Sequence, residues 1–162
     1  FLTGNCSVPA ALVSALVDHA PLVENVELVQ VLTVGPAPWV LPELAGHLHS
    51  NIMFIGHNVR TSVWEGRSDF TPVLLSEFPT IFRRGALPLD VALAHVSPPD
   101  AEGYCSLGLE TGLAKTPVAA ARKVIAQINP QHAALAQAFA NETDPLVQHE
   151  LLNLFTQGNQ TG

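Results

Sequence analysis

The segment Asp90–Gly108, DVALAHVSPPDAEGYCSLG, admits few architectures. Val91 to Val96 is a short apolar run without helical period, so it reads as a strand buried on both faces. Ser97-Pro98-Pro99-Asp100 stops that strand, because consecutive prolines remove backbone donors and fix φ. Gly103-Tyr104-Cys105-Ser106-Leu107-Gly108 then returns the chain through a glycine-bracketed turn. A loop of this kind belongs at the edge where an α/β sheet presents its functional end.

The rest of the chain alternates in the same way. Phe1-Leu2-Thr3 reads as the last residues of a strand, running into Gly4-Asn5-Cys6-Ser7 and a helix from Val8 to His19 with Pro9 in its first turn. Further strands are expected over Glu27–Thr33, ending at Gly35-Pro36-Ala37-Pro38, and over Ile52–Ile55, ending at Gly56-His57-Asn58. A short helix over Val59–Glu65, a strand over Thr71–Leu75, a helix over Ser76–Arg84 and the strand Val91–Val96 follow. Thr116-Pro117 opens an Ala-rich helix, and Val124–Ile128 forms the next strand. Strands spaced by helices predict an α/β fold: an open, mostly parallel sheet with right-handed crossovers and helices on both faces.

With 162 residues, 48% hydrophobic and 13% charged, the chain can bury one sizeable core. A formal charge of −7 argues against nucleic acid or an anionic membrane as partner, although placed amides and a few cations suffice for a polyanionic cofactor. No apolar run has transmembrane length and no signal peptide opens the sequence, so cytoplasm or a mitochondrial matrix is the expected location. Two cysteines, both in glycine-containing turns, make no disulfide framework.

Four segments carry a family resemblance: FIGHNVRTSVWEGRSDFTPVLLSEFP (Phe54–Pro79), FRRGALPLDVALAHVSPPD (Phe82–Asp100), GYCSLG, and KVIAQINPQ (Lys123–Gln131). In this order they resemble the amino-terminal domain of the acetyl-CoA hydrolase/transferase family, most of all its 4-hydroxybutyrate CoA-transferase and acetyl-CoA hydrolase branch. The resemblance covers residues 1–131; residues 132–155 read as a helical extension broken at Asp144-Pro145, and 156–162 as a flexible tail.

The resemblance implies acyl-CoA and short-chain carboxylic acids as substrates, coenzyme A as the group carried, and no metal. In the family a glutamate of the second domain attacks the acyl-CoA thioester. The resulting mixed anhydride is converted to an enzyme-bound CoA thioester that a second carboxylic acid accepts. No segment of this chain resembles that region, so no catalytic residue is expected in it. What it can supply is a pocket wall with fixed donors for the oxyanions. Resemblance and strand-end position together assign this role to Gly4, Asn5, Gly35, Pro36, Ala37, Gly56, His57, Asn58, Ser76 and Glu77. The implied partner is a second CoA-transferase domain or subunit, within a homo-oligomer. The alternatives are an acetyl-CoA hydrolase half or a stand-alone, non-catalytic acyl-CoA- or protein-binding domain.

Several side chains have plainer readings. Ser76 followed by Glu77 is an ordinary helix start, with the acid favourably placed against the helix dipole. Cys105 has no His or acid spaced as a partner and reads as a small buried cysteine. His47 and His49 alternate without a third ligand, and His57 reads as a solvated loop residue. Arg60, Arg67, Arg83 and Arg84 are expected in ordinary ion pairs. The Gly4–Pro9 turn has neither the lysine of a P-loop nor the spacing of a dinucleotide fingerprint.

Overall fold

The computed structural model describes residues 1–131. The extension and tail expected over 132–162 lie outside the described residues. Among the described residues, five strands form two parallel ladders: β1 (Val26–Gln30), β2 (Leu48–Ile52) and β3 (Ser68–Phe70) in that order, and β4 (Val91–Val96) beside β5 (Lys123–Ile128).

Residues 1–5 join the two ladders. The Leu2 amide donates to Val29 O at 2.9 Å on one side, while Thr3 N donates to Leu93 O at 3.0 Å and Leu93 N to Phe1 O at 2.8 Å on the other. Parallel bridges at Leu2–Leu93 and Asn5–Thr33 complete the pairing. The spatial order is therefore β3-β2-β1-(1–5)-β4-β5, a twisted parallel sheet with the first segment of the chain at its centre.

Helices cover both faces, as the strand pattern requires. On one face α3 (Phe78–Arg83) and α4 (Thr111–Ala120) close a core containing Phe1, Val29, Val31, Met53, Phe78, Phe82, Leu89 and Ala92. Phe1, Phe78 and Phe82 form a ring cluster there, with Phe78 and Phe82 edge to face at 4.9 Å. On the other face α1 (Ala10–His19) and the short 3₁₀ turns Pro38–Val40 and Pro42–Leu44 close a core around Leu2, Val13, Leu28, Trp39, Leu44 and Leu48. Phe1 and Leu2, adjacent in sequence, point to opposite faces and anchor one core each.

β4 and β5 fall where the apolar runs predict them, β1 ends at Gln30 and not at Thr33, and three other elements shift further. β2 occupies Leu48–Ile52, not Ile52–Ile55, although its ladder continues through Met53 N→Gln30 O and Phe54 N→Val31 O. The displaced residues His49, Ser50 and Asn51 look unlike a buried strand. His49 and Asn51 are held by polar cross-strand partners: Asn51 Nδ2 donates to Glu27 Oε1 at 2.8 Å, Thr71 Oγ1 to Asn51 Oδ1 at 2.7 Å, and His49 Nε2 lies 2.9 Å from Asp69 Oδ2. The strand expected over Thr71–Leu75 instead ends at Phe70, after which Thr71 N makes a last bond to Ile52 O. Pro72 has no amide with which to continue. α4 begins at Thr111, five residues before the expected Thr116, and carries Pro117 inside it. The missing donor there is offset by complete burial of the proline ring beside Ala114.

Leu2 is fully buried between two ladders, whereas Leu22 is 79% exposed. Leu2→Ala is expected to cost about 2–5 kcal/mol in urea unfolding, and Leu22→Ala to stay within about 0.5 kcal/mol of the parent.

Candidate functional site

The carboxyl edge of the sheet gathers three of the four loops singled out from the sequence. Residues 4–6 leave the central strand, 33–37 leave β1, and 56–58 leave β2. Gly4 is required by packing: a Cβ there would lie 2.0 Å from the Leu32 carbonyl oxygen. Asn5 then takes a left-handed φ of 49°, a conformation Asn tolerates better than most residues, and donates its amide to Leu32 O at 2.7 Å.

The other two loops are stitched together by one side chain. Asn58 Nδ2 donates to Thr33 Oγ1 at 3.1 Å and to Gly35 O at 2.9 Å, holding the 33–37 loop, whose Gly35 has φ 94°, against the 56–58 turn. Gly56 is buried beneath this clamp; a Cβ would meet Asn58 Oδ1 at 2.9 Å and Leu32 Cδ1 at 3.1 Å. Asn58 is thus committed to the scaffold, while His57 and Pro36 are exposed and Ala37 is half-buried.

Ser76 and Glu77 stand apart from this cluster. Both are exposed, and α3 starts at Phe78 with no side-chain cap, so the capping expected of Ser76 is not realised. Glu77 instead lines an open apolar groove with Met53, Phe54, Ile55, Phe70, Pro72, Val73 and Leu74, next to Gly56 in sequence through Ile55.

Glu110 is the functional candidate that sequence reasoning missed. It is 5% exposed and accepts a 2.7 Å hydrogen bond at Oε2 from Asn5 Nδ2, tying the loop after β4 to the turn after the central strand. Burial pushes its carboxyl above the ordinary value of 4.5, and the bond from Asn5 partly opposes this. Burial likewise raises the neighbouring Cys6 thiol. The only sequence signal was a charged residue between Leu109 and the start of an apolar helix, which reads as an ordinary helix-start acid.

The remaining candidates take ordinary roles, with two corrections. The ion pairs expected of Arg60, Arg83 and Arg84 do not form among the described residues. Cys105 is exposed, not buried, because the loop after Pro99 runs out over the surface. His47 Nδ1 lies 2.7 Å from Val23 O, and His49 pairs with Asp69. Arg67 pairs with Glu65 and also donates to Val40 O, whereas Arg60 lies 6.0 Å from the Trp64 ring centre. Among the described residues no group of three or more His, Cys, Asp or Glu could hold a metal ion, and no helix is long and apolar enough to cross a membrane.

In open parallel α/β sheets generally, ligands bind outside the carboxyl ends of the strands, the edge at which these glycine turns collect. The acetyl-CoA hydrolase/transferase N-terminal domain model matches residues 1–150, and the chain belongs to that family. It is 36% identical over 133 residues to a succinyl-CoA:acetate/propanoyl-CoA:succinate CoA transferase of Fasciola hepatica, covering 81% of this chain and 27% of that protein. It is also 36% identical over 121 residues to the 4-hydroxybutyrate coenzyme A transferase of Clostridium kluyveri, covering 75% of this chain and 28% of the relative. Among solved structures, 4-hydroxybutyrate CoA-transferase from Porphyromonas gingivalis superposes with a TM-score of 0.65 at 29% identity, over 81% of this chain and 29% of that one. RipA from Yersinia pestis shares the fold, with a TM-score of 0.64 at 22% identity over 80% of this chain and 32% of its own. The chain thus spans between a quarter and a third of these proteins.

Two measurements probe this edge. Gly4→Ala is expected to lose about 1–3 kcal/mol or more by forcing the turn off Leu32, while Gly112→Ala, with nothing within 4 Å, should gain about 0.4–1 kcal/mol. For Glu110 the folded state binds its proton more tightly than the unfolded state does. Its contribution is therefore greatest below pH 4.5 and is lost as pH rises through the elevated folded value. Urea unfolding should show Glu110→Gln gaining stability relative to the parent between pH 4.5 and neutrality; a pH-independent difference would contradict this.

Proposed function

We propose that this chain forms one wall of an acyl-CoA pocket in a CoA-transferase, with the glutamate nucleophile supplied by the family's second domain, on the same polypeptide or another. The observation that carries this reading is the joining of the 4–6, 33–37 and 56–58 turns at one sheet edge, in a chain of this family. Gly4, Gly35, Ala37 and His57 offer backbone amides there; Asn5 and Gly56, whose amides are given to Leu32 O and Phe54 O, and Pro36, which has no N–H, contribute shape, with Asn58 as a clamp. Ser76 and Glu77 border the adjoining apolar groove.

The chemistry divides accordingly. The nucleophile of the second domain attacks the thioester carbonyl; thiolate leaves, and an acyl-glutamyl anhydride forms. Thiolate then attacks the glutamyl carbonyl, which releases the first carboxylate and leaves CoA on the enzyme. Each addition places negative charge on a former carbonyl oxygen, and fixed donors on the facing wall lower that barrier. Oxyanion donors require rigidity more than acidity, which the Leu32 and Thr33 contacts supply.

The test uses the chain as it stands, incubated with acetyl-CoA and butyrate or succinate, with CoA products and protein adducts followed by mass spectrometry. No CoA transfer and no protein-bound CoA thioester are expected. In ¹⁵N spectra, millimolar acetyl-CoA should shift the amides of Gly4, Gly35 and Gly56. A thioester on Glu77 would overturn the division of labour, and unshifted glycine amides would overturn the pocket.

A further inference from the structure

The strand order contains one reversal of winding. From the central strand the chain proceeds outward through β1, β2 and β3, then crosses back to lay β4 and β5 on the other side. In an open parallel sheet, loops leaving the two strands at such a reversal diverge to opposite faces, and the gap between them is where ligands enter. Here the loops are 4–9, leading to α1, and 97–110, leading to α4. α1 and α4 do pack on opposite faces: Val13 belongs to one core, while Leu113 and Val118 flank the other.

The Asn5–Glu110 hydrogen bond spans this gap. Its acid is costly to bury, and local structure does not account for it: Glu110 precedes α4 but makes no capping bond to it. Its carboxylate reaches across to the other loop instead. There the backbone is already fixed by the contact of Gly4 with Leu32 and by the left-handed φ of Asn5. What remains mobile is the Asn5 side chain, and Glu110 holds it. With one Nδ2 proton given to the acid, the half-buried carboxamide keeps its second N–H and its oxygen for a ligand.

Building on the acyl-CoA reading above, we propose that Glu110 is a positioning residue that fixes the Asn5 carboxamide as the polar contact for the acyl carbonyl of a CoA thioester in the crevice between the 4–9 and 97–110 loops. The free N–H of Asn5 donates to the thioester oxygen. The carboxylate behind it selects a neutral carbonyl over a free carboxylate, since a second negative charge at that distance is repelled. The site therefore reads the acylated state of CoA.

The experiment follows binding of acetyl-CoA, CoA and acetate to the ¹⁵N-labelled chain and its variants. In the parent, acetyl-CoA shifts the Asn5 side-chain NH₂ signals and acetate does not. Glu110→Ala weakens acetyl-CoA about tenfold while leaving CoA unchanged. Asn5→Gly, which suits the left-handed backbone, gives the same loss, and the double variant loses no more. Glu110→Gln, whose amide oxygen still accepts from Asn5, restores most of the affinity. A merely structural acid would weaken acetyl-CoA and CoA alike, and that result overturns the proposal. Unchanged acetyl-CoA affinity in Glu110→Ala, or additive losses in the double variant, overturns it while leaving the acyl-CoA reading intact. Failure of the parent to bind either acetyl-CoA or CoA at millimolar concentration sinks both.

Discussion

The backbone pairing of residues 1–5 is the constraint on which the rest depends. Without it the sheet is two separate ladders, each with an unpaired edge toward the other. With it, Leu2 N reaches β1, Thr3 N reaches β4, and Phe1 and Leu2 seed the cores on opposite faces. A buried amide left unpaired costs about 1–3 kcal/mol, so a central strand must satisfy both neighbours. Local propensity alone would not order so short a segment; it is ordered by what lies on either side.

The same strand decides where the chemistry can be. Its exit turn, between the loops of β1 and β4, is crowded enough that only glycine fits at position 4 and that Asn5 must adopt a left-handed conformation. Rigid turns of this kind suit donors that stabilise developing charge, because they need not reorganise when the charge appears. The Asn58 clamp extends that rigidity to the neighbouring loops.

The far side of the sheet has a different character. Among the described residues β5 is an edge strand, on which Val124, Ile125 and Ile128 are 43%, 42% and 54% exposed. At the opposite end Phe54, Phe70, Leu74 and Leu75 are 56%, 45%, 68% and 64% exposed around the groove that Glu77 lines. Apolar surface at both ends contrasts with the closed centre, where the two cores and the strand-end turns are fixed by contacts within residues 1–131.

Local pattern was enough for the class of the fold, the places of β4 and β5, and the turns at Gly4, Gly35 and Gly56, because short apolar runs and glycine turns leave strong local signals. Motif resemblance reached the family from the same stretches. The place of β2 is not local because the groups that hold His49 and Asn51 in the strand, Glu27, Asp69 and Thr71, lie 20 to 24 residues away. β3 lies ahead of its expected place because the apolar run Val73-Leu74-Leu75 outweighs Ser68-Asp69-Phe70 in any local reading, although Pro72 cannot continue a ladder. The Asn58 clamp and the burial of Glu110 against Asn5 are set by long-range packing alone. The latter pair lies 105 residues apart and meets because the chain reverses its winding beside its central strand, which no local period records.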